Sequence, residues 1–96
     1  MIINTYEKEF SSKATNLKLY NALIMAINHI GATIFKSEKH EFYPYGLTAF
    51  VILGESHVAL HSFPEYNMVW VQISVCIDSL NIDDFFLKFE ELILQT

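Results

Sequence analysis

The sequence predicts an α+β fold in which a mainly antiparallel sheet carries two helices on one face. Apolar residues recur at helical spacing in two regions of the chain, and the stretch between them consists of short alternating segments that are typical of strands. Two proline-containing turns join strand segments directly, so the neighbouring strands should run antiparallel. We expect residues 1–96 to form one domain, with the functional site and the oligomer interface on the uncovered sheet face.

Two helices account for the regions of helical spacing. The first runs from Asn16 to Ile30, and Gly31 is placed to end it because glycine tolerates the left-handed conformation found there. Asn81 caps the second helix, and the acidic residues of its first turn favour the positive end of the helix dipole. The apolar stripes are Tyr20, Leu23, Ile24, Ile27 and Ile30 in the first helix and Ile82, Phe85, Phe86, Phe89 and Ile93 in the second.

The extended segments between the helices predict four strands, and a further short strand precedes the first helix. Turn sequences occur at residues 43–46, YPYG, and at residues 63–67, FPEYN. Each turn connects two strand segments, which predicts two hairpins. The strands are expected at Ala32–Glu38, Leu47–Leu53, His57–Ser62, Met68–Ile77 and Ile2–Tyr6.

Alternation along the strands gives the sheet two chemically different faces. One face should pack on the helices, and it receives Val58, Leu60, Val69, Val71, Ile73, Val75 and Ile77. The other face receives His57, Ala59, His61, Met68, Trp70, Gln72, Ser74 and Cys76. We therefore expect His57, His61 and Cys76 to share one face, close to a turn at Glu55 and Ser56.

Charge and composition exclude several classes of protein. The formal net charge is −5 and all six basic residues are lysine, so the chain lacks the guanidinium groups and basic patch that would bind a nucleic-acid backbone. No apolar run reaches the length of a membrane span, and residues 1–10 lack the features of a signal peptide, which predicts a cytoplasmic protein. Hydrophobic residues make up 52% of the chain, more than a small core needs, so we expect a homodimer or a higher homo-oligomer.

Each candidate side chain also has an ordinary structural interpretation. Ser56 could be a simple turn residue, His57 and His61 could be hydrogen-bonded residues of the sheet, and Cys76 could be a small hydrophobe. A single cysteine excludes an internal disulfide, and the scattered histidines do not complete a thiolate metal cage, so no metal site is predicted. The combination of these residues indicates chemistry more strongly than any one of them.

Four features together resemble the prokaryotic S-adenosylmethionine decarboxylases, which are self-processing pyruvoyl enzymes of polyamine synthesis. They are GATI at 31–34, YPYG at 43–46, ESHVALHSFPEY at 55–66 and a cysteine twenty positions after the serine, at Cys76. The resemblance extends from Gly31 to Ile93. Serine, histidine, glutamate and cysteine all occur at the family's spacings, so the combination is far more specific than one short motif.

The resemblance implies that the chain cuts itself between Glu55 and Ser56. The Ser56 hydroxyl would attack the Glu55 carbonyl to form an ester, and elimination followed by hydrolysis would leave a pyruvoyl group at the start of residues 56–96. This self-made cofactor would react with the amine of S-adenosylmethionine and accept the electrons released on decarboxylation.

The resemblance also implies roles for individual residues. His61 would assist proton removal during processing, helped by Thr48, which stands where the family has a serine. Cys76 would return a proton to the substrate carbon after decarboxylation, and His57 belongs to the motif without an assigned step. The substrate-binding residues would be Glu65, through the ribose hydroxyls, and Phe42 and Phe63, which line the adenosyl site.

Departures from the family pattern leave two other functions open. Phe63 replaces a tryptophan, Trp70 replaces a small residue and Gln72 replaces an acid. Trp70 and Gln72 motivate a pyruvoyl-dependent decarboxylase of a smaller amino acid such as ornithine or arginine. The short ends relative to the family motivate an unprocessed, non-catalytic homologue that serves as a subunit or binding module.

Overall fold

A computed structural model describes residues 3–54, 56–76 and 80–95 of the chain. Its five strands form a single antiparallel sheet in the order β1-β5-β4-β3-β2, so β1 and β2 are the edge strands. The predicted α+β fold is confirmed. The elements are β1 (Asn4–Ser11), α1 (Asn16–His29), β2 (Ile34–Glu41), β3 (Leu47–Leu53), β4 (Ser56–Phe63), a 3-10 turn (Pro64–Tyr66), β5 (Met68–Val75) and α2 (Ile82–Leu94).

The element boundaries differ from the predicted ones mainly at the edges of the sheet. β1 is an eight-residue strand rather than a short one, because it pairs with β5 along its whole length from Asn4 to Ser11. β2 begins later and ends later than predicted, with a register irregularity between Ile34 and Lys36. β5 ends at Val75, and the predicted continuation to Ile77 lies outside the described residues.

Helix α1 is fixed at both ends by local hydrogen bonds. At the start, the Thr15 side chain accepts a hydrogen bond from the Lys18 backbone N–H at 3.2 Å. At the end, Gly31 takes a φ of +80°, and its N–H donates to the Asn28 carbonyl at 3.0 Å. Since a positive φ is strained for residues with a Cβ, the glycine ends the helix as predicted.

Helix α2 begins at the predicted cap and is joined there to α1. The Asn81 side chain accepts a hydrogen bond from the Asp84 backbone N–H at 2.9 Å. The Asp84 carboxylate lies 3.0 Å from Nε2 of His29, in the last turn of α1. With 14 and 13 residues, neither helix of the described chain has the length and apolar character needed to cross a membrane.

The hydrophobic core lies between the two helices and one face of the sheet. Val51, Val58 and Ile73 pair across β3, β4 and β5, and all three are fully buried. In the same cluster the helices contribute their buried stripes, so one sheet face is covered and the other is left free. The helical residues of this core are Leu19, Ala22, Leu23, Ala26 and Ile27 from α1 and Phe85, Phe86, Phe89, Leu92 and Ile93 from α2.

Both predicted hairpin turns are confirmed. In the β2–β3 turn the Phe42 N–H donates to the Gly46 carbonyl at 3.0 Å, and Gly46 has a φ of +122°. In the β4–β5 turn Asn67 adopts the left-handed conformation with a φ of 51°, and its N–H donates to the Pro64 carbonyl at 3.1 Å. These two turns lie at the same end of the sheet, opposite the β3–β4 hairpin.

Candidate functional site

The free face of the sheet carries a polar and aromatic row that crosses all five strands. The registers pair His40 with Thr48, Thr48 with His61, His61 with Trp70 and Trp70 with Glu9. We call these five residues the histidine row. Directly paired positions on neighbouring strands bring side chains on one face into contact range, so the row forms a continuous surface.

The centre of the histidine row is a hydrogen bond between Thr48 and His61. Thr48 Oγ1 lies 3.0 Å from His61 Nδ1, and both side chains are partly buried. The Trp70 ring covers the other side of the imidazole, with ring centroids 5.4 Å apart and planes tilted by 31°. These two contacts orient His61 and commit its Nδ1 to Thr48, which leaves Nε2 as the ring nitrogen for other chemistry.

A second group of candidate residues lies at the opposite end of β4, near the β3–β4 hairpin. His57 pairs with Ser74, and its ring stacks on Phe50 at 5.2 Å between centroids. Cys76 is half-buried and follows β5 by one residue, which places it at the same end of the sheet as Ser56. We call Ser56, His57 and Cys76 the hairpin group. The predicted partner of Ser56 in cleavage, Glu55, lies outside the described residues.

Ser56 is the first residue of β4 and pairs with Leu53 across the hairpin. Leu53 and Val58 are buried under the helices, so alternation starts the Ser56 side chain on the helix side of the sheet. His61 is five residues further along β4 and faces the free side. At about 3.3 Å per residue, the two positions are separated by roughly 16 Å. A single chain therefore does not bring Ser56 and His61 together.

The predicted substrate-binding residues lie at the same end of the sheet as the histidine row. Phe63 is the last residue of β4, and Glu65 is exposed in the 3-10 turn that follows it. Phe42 reaches the same place from the β2–β3 turn, because Gly46 lies against both the Phe42 side chain and Pro64. Two exposed aromatic rings and a carboxylate thus border the histidine row.

Three members of the row, Glu9, His40 and Trp70, were not among the predicted site residues. The predicted strand ended at Glu38, before His40, and only the observed pairing with Thr48 shows that His40 lies beside the Thr48–His61 hydrogen bond. Within the described part of the chain, no three His, Cys, Asp or Glu side chains are arranged to hold a metal ion.

The fold is that of a two-layer α+β protein in which the sheet face away from the helices carries polar and aromatic side chains. A crystal structure of the adenosylmethionine decarboxylase from Aquifex aeolicus shares it with a TM-score of 0.69, covering 96% of this chain and 74% of that one at 20% identity.

Residues 1–93 match the family described as S-adenosylmethionine decarboxylase, and the chain belongs to this family. Similar relatives include S-adenosylmethionine decarboxylase proenzyme 2 of Bacillus cereus, 33% identical over 79% of this chain and 62% of the relative. The S-adenosylmethionine decarboxylase proenzyme of Thermoplasma acidophilum is 31% identical over 90% of this chain and 66% of the relative. The chain thus spans less than two thirds of the length of these curated relatives.

The Thr48–His61 hydrogen bond predicts a specific response to substitution. Thr48→Val keeps the shape of the side chain but removes the hydroxyl, so the NMR signals of the His61 ring nitrogens should shift as Nδ1 loses its partner. Thr48→Ser should restore the wild-type signals. Thr5→Val is the matched control, because Thr5 is also on the free face but bonds to Ser74. Unchanged His61 signals in Thr48→Val would contradict the contact.

Proposed function

We propose that this chain is the precursor of a pyruvoyl-dependent S-adenosylmethionine decarboxylase that cleaves itself between Glu55 and Ser56. The observation that carries the proposal is the position of Ser56, the first residue of a strand directly after a tight turn, in a chain of this family. A serine hydroxyl at a turn can reach the carbonyl of the preceding residue. The names of the curated relatives as proenzymes support the same function.

The proposed cleavage has three steps, which are ester formation, elimination and hydrolysis. Ser56 Oγ attacks the Glu55 carbonyl carbon, and the amide nitrogen leaves to become a free amine, so an ester replaces the peptide bond. A base then removes the Ser56 α-proton, and the bond between Ser56 Cβ and the ester oxygen breaks. The first fragment leaves with a C-terminal carboxylate on Glu55, and residue 56 becomes dehydroalanine. Water hydrolyses its imine tautomer with release of ammonia, which leaves a pyruvoyl group on residues 56–96.

The hairpin group fits the pyruvoyl group that this reaction would create. Ser56 carries the hydroxyl from which the group would form, and Cys76 places a thiol at the same end of the sheet, where it would serve as a proton donor. Once formed, the group supplies an electrophilic carbonyl that acts as an electron sink for decarboxylation. Cleavage also turns residue 56 from a hairpin residue into a chain end, so it becomes free to rotate from the helix side toward the free face.

A homodimer built on the free face accounts for the distance between the two candidate groups. Phe50 and Ile52 in the middle of this face are 42% and 41% exposed, which is unusual for large apolar residues at the centre of a sheet. In a two-fold symmetric dimer, a contact from one patch to a second patch of the partner occurs twice, once in each direction, while residues on the axis meet their own copies. We propose that the hairpin group of one protomer meets the histidine row of its partner, so that His61 of one chain serves Ser56 of the other.

The substrate assignment is supported by the aromatic end of the sheet. Phe42 and Phe63 present exposed rings of the kind on which an adenine base stacks, and the Glu65 carboxylate can accept hydrogen bonds from ribose hydroxyls. One observation favours a second candidate, a decarboxylase of a smaller amino acid. The Trp70 indole lies beside His61 and takes up space that a small residue would leave to the substrate.

Self-cleavage is tested by the mass of the purified chain under denaturing conditions. The wild-type protein should yield fragments 1–55 and 56–96, the second without a free amino terminus. Ser56→Ala should stay intact because no hydroxyl is left to attack. Ser11→Ala, which changes a serine on an edge strand, should cleave like the wild type. A wild-type chain that stays intact through long incubation would refute the pyruvoyl mechanism.

The shared site is tested by mixing two chains that cannot be cleaved alone. Ser56→Ala lacks the nucleophile and His61→Ala lacks the base. In a mixed dimer, the intact Ser56 of the His61→Ala chain faces the intact His61 of its partner. Co-refolding the two chains should therefore produce cleavage of the His61→Ala chain, detected by isotope labelling of that chain. If the His61→Ala chain stays intact in the mixture while the wild-type protein is cleaved, the two groups do not act across a dimer.

The substrate is tested by release of carbon dioxide from the cleaved protein. We expect release from S-adenosylmethionine and not from ornithine or arginine. Cys76→Ala should still be cleaved but should lose most of this turnover, since alanine has no proton to donate. Release from an amino acid alone would favour the second candidate. Release from none of the three would identify a non-catalytic homologue.

A further inference from the structure

The strongest further feature of the free face is His40, at the β2 end of the histidine row. Its imidazole meets the Phe42 ring edge-on, with centroids 4.5 Å apart and planes at 69°. This is the preferred geometry for an aromatic pair, because the positive edge of one ring lies against the negative face of the other. His40 is in the last part of β2 and Phe42 directly follows the strand, so the contact joins the strand to the start of the β2–β3 turn.

The Phe42 ring is confined from a second side by the β2–β3 turn. A Cβ placed on Gly46 would lie 3.6 Å from Phe42 Cβ and 3.8 Å from Cδ2, so the ring packs directly over the glycine backbone. The Phe42 N–H is bonded to the Gly46 carbonyl at 3.0 Å, which holds the ring's own backbone in place. Even so, Phe42 is 50% exposed, which leaves part of the ring open to a ligand.

We propose that His40 is a positioning residue for substrate binding, which holds the Phe42 ring in the orientation that stacks against the adenine base of S-adenosylmethionine. This inference rests on the proposed function. Without His40, the exposed ring would be less restrained in the free protein and would lose more rotational freedom when the base binds. His40 therefore contributes to affinity for the adenosyl group without taking part in the chemistry at the hairpin group.

Substitution of His40 should weaken substrate binding and leave the rate of turnover nearly unchanged. In the cleaved protein, His40→Ala should raise KM for S-adenosylmethionine about fivefold, in the range that one aromatic contact supplies, while kcat stays within about twofold of the wild type. His40→Phe keeps an aromatic edge and should restore KM. Glu38→Ala is the matched control, because Glu38 is exposed on the same face of β2 and its carboxylate lies 3.3 Å from Lys36 Nζ rather than against the Phe42 ring. Self-cleavage should be unchanged in all three variants.

Two results would overturn the inference: a KM that does not change in His40→Ala, or a fall in kcat that His40→Phe does not restore. Calorimetric titration with adenosine separates this failure from failure of the proposed function. If the wild type binds adenosine without decarboxylating S-adenosylmethionine, weaker adenosine binding by His40→Ala than by Glu38→Ala still supports the positioning role. If the wild type neither turns over the substrate nor binds adenosine, both proposals are refuted.

Discussion

The burial of one sheet face under two helices is the constraint on which the rest of the structure depends. Because strand side chains alternate, covering Val51, Val58 and Ile73 forces every second residue of β3, β4 and β5 to the free face. A slip of one residue in any register would expose the core and bury the histidines. The hydrophobic effect thus fixes the alignment of Thr48 with His61 as firmly as it fixes the core.

The same constraint explains why residues close in sequence are divided between two places. Each residue of a strand adds a constant rise along its axis. Ser56 and His61 therefore lie toward opposite ends of β4, although they belong to one motif. Thr48 is further from His61 in sequence, yet the antiparallel hairpin returns it to within hydrogen-bond distance. A compact motif in the sequence therefore corresponds here to an extended surface rather than to one pocket.

Much of the fold follows from the sequence, because both helices and the central strands have clear apolar periods. The length of β1 does not, since NTYEKEFS is an edge strand with one buried residue, Phe10, and it is specified by pairing with β5. For the site, alternation predicts which face His57 and His61 occupy. It cannot supply the pairing across strands, so the position of His40 beside Thr48 emerges only from the register.

The strand order has a consequence for a chain that is cut at the β3–β4 hairpin. Strands β4 and β5 of the second piece lie between β1 and β3 of the first, and each boundary is a complete antiparallel ladder. Helix α1 of the first piece and α2 of the second share one core. The smaller piece is therefore clamped on both sides by the larger, and severing the backbone would yield an interlocked two-chain molecule rather than two separate products.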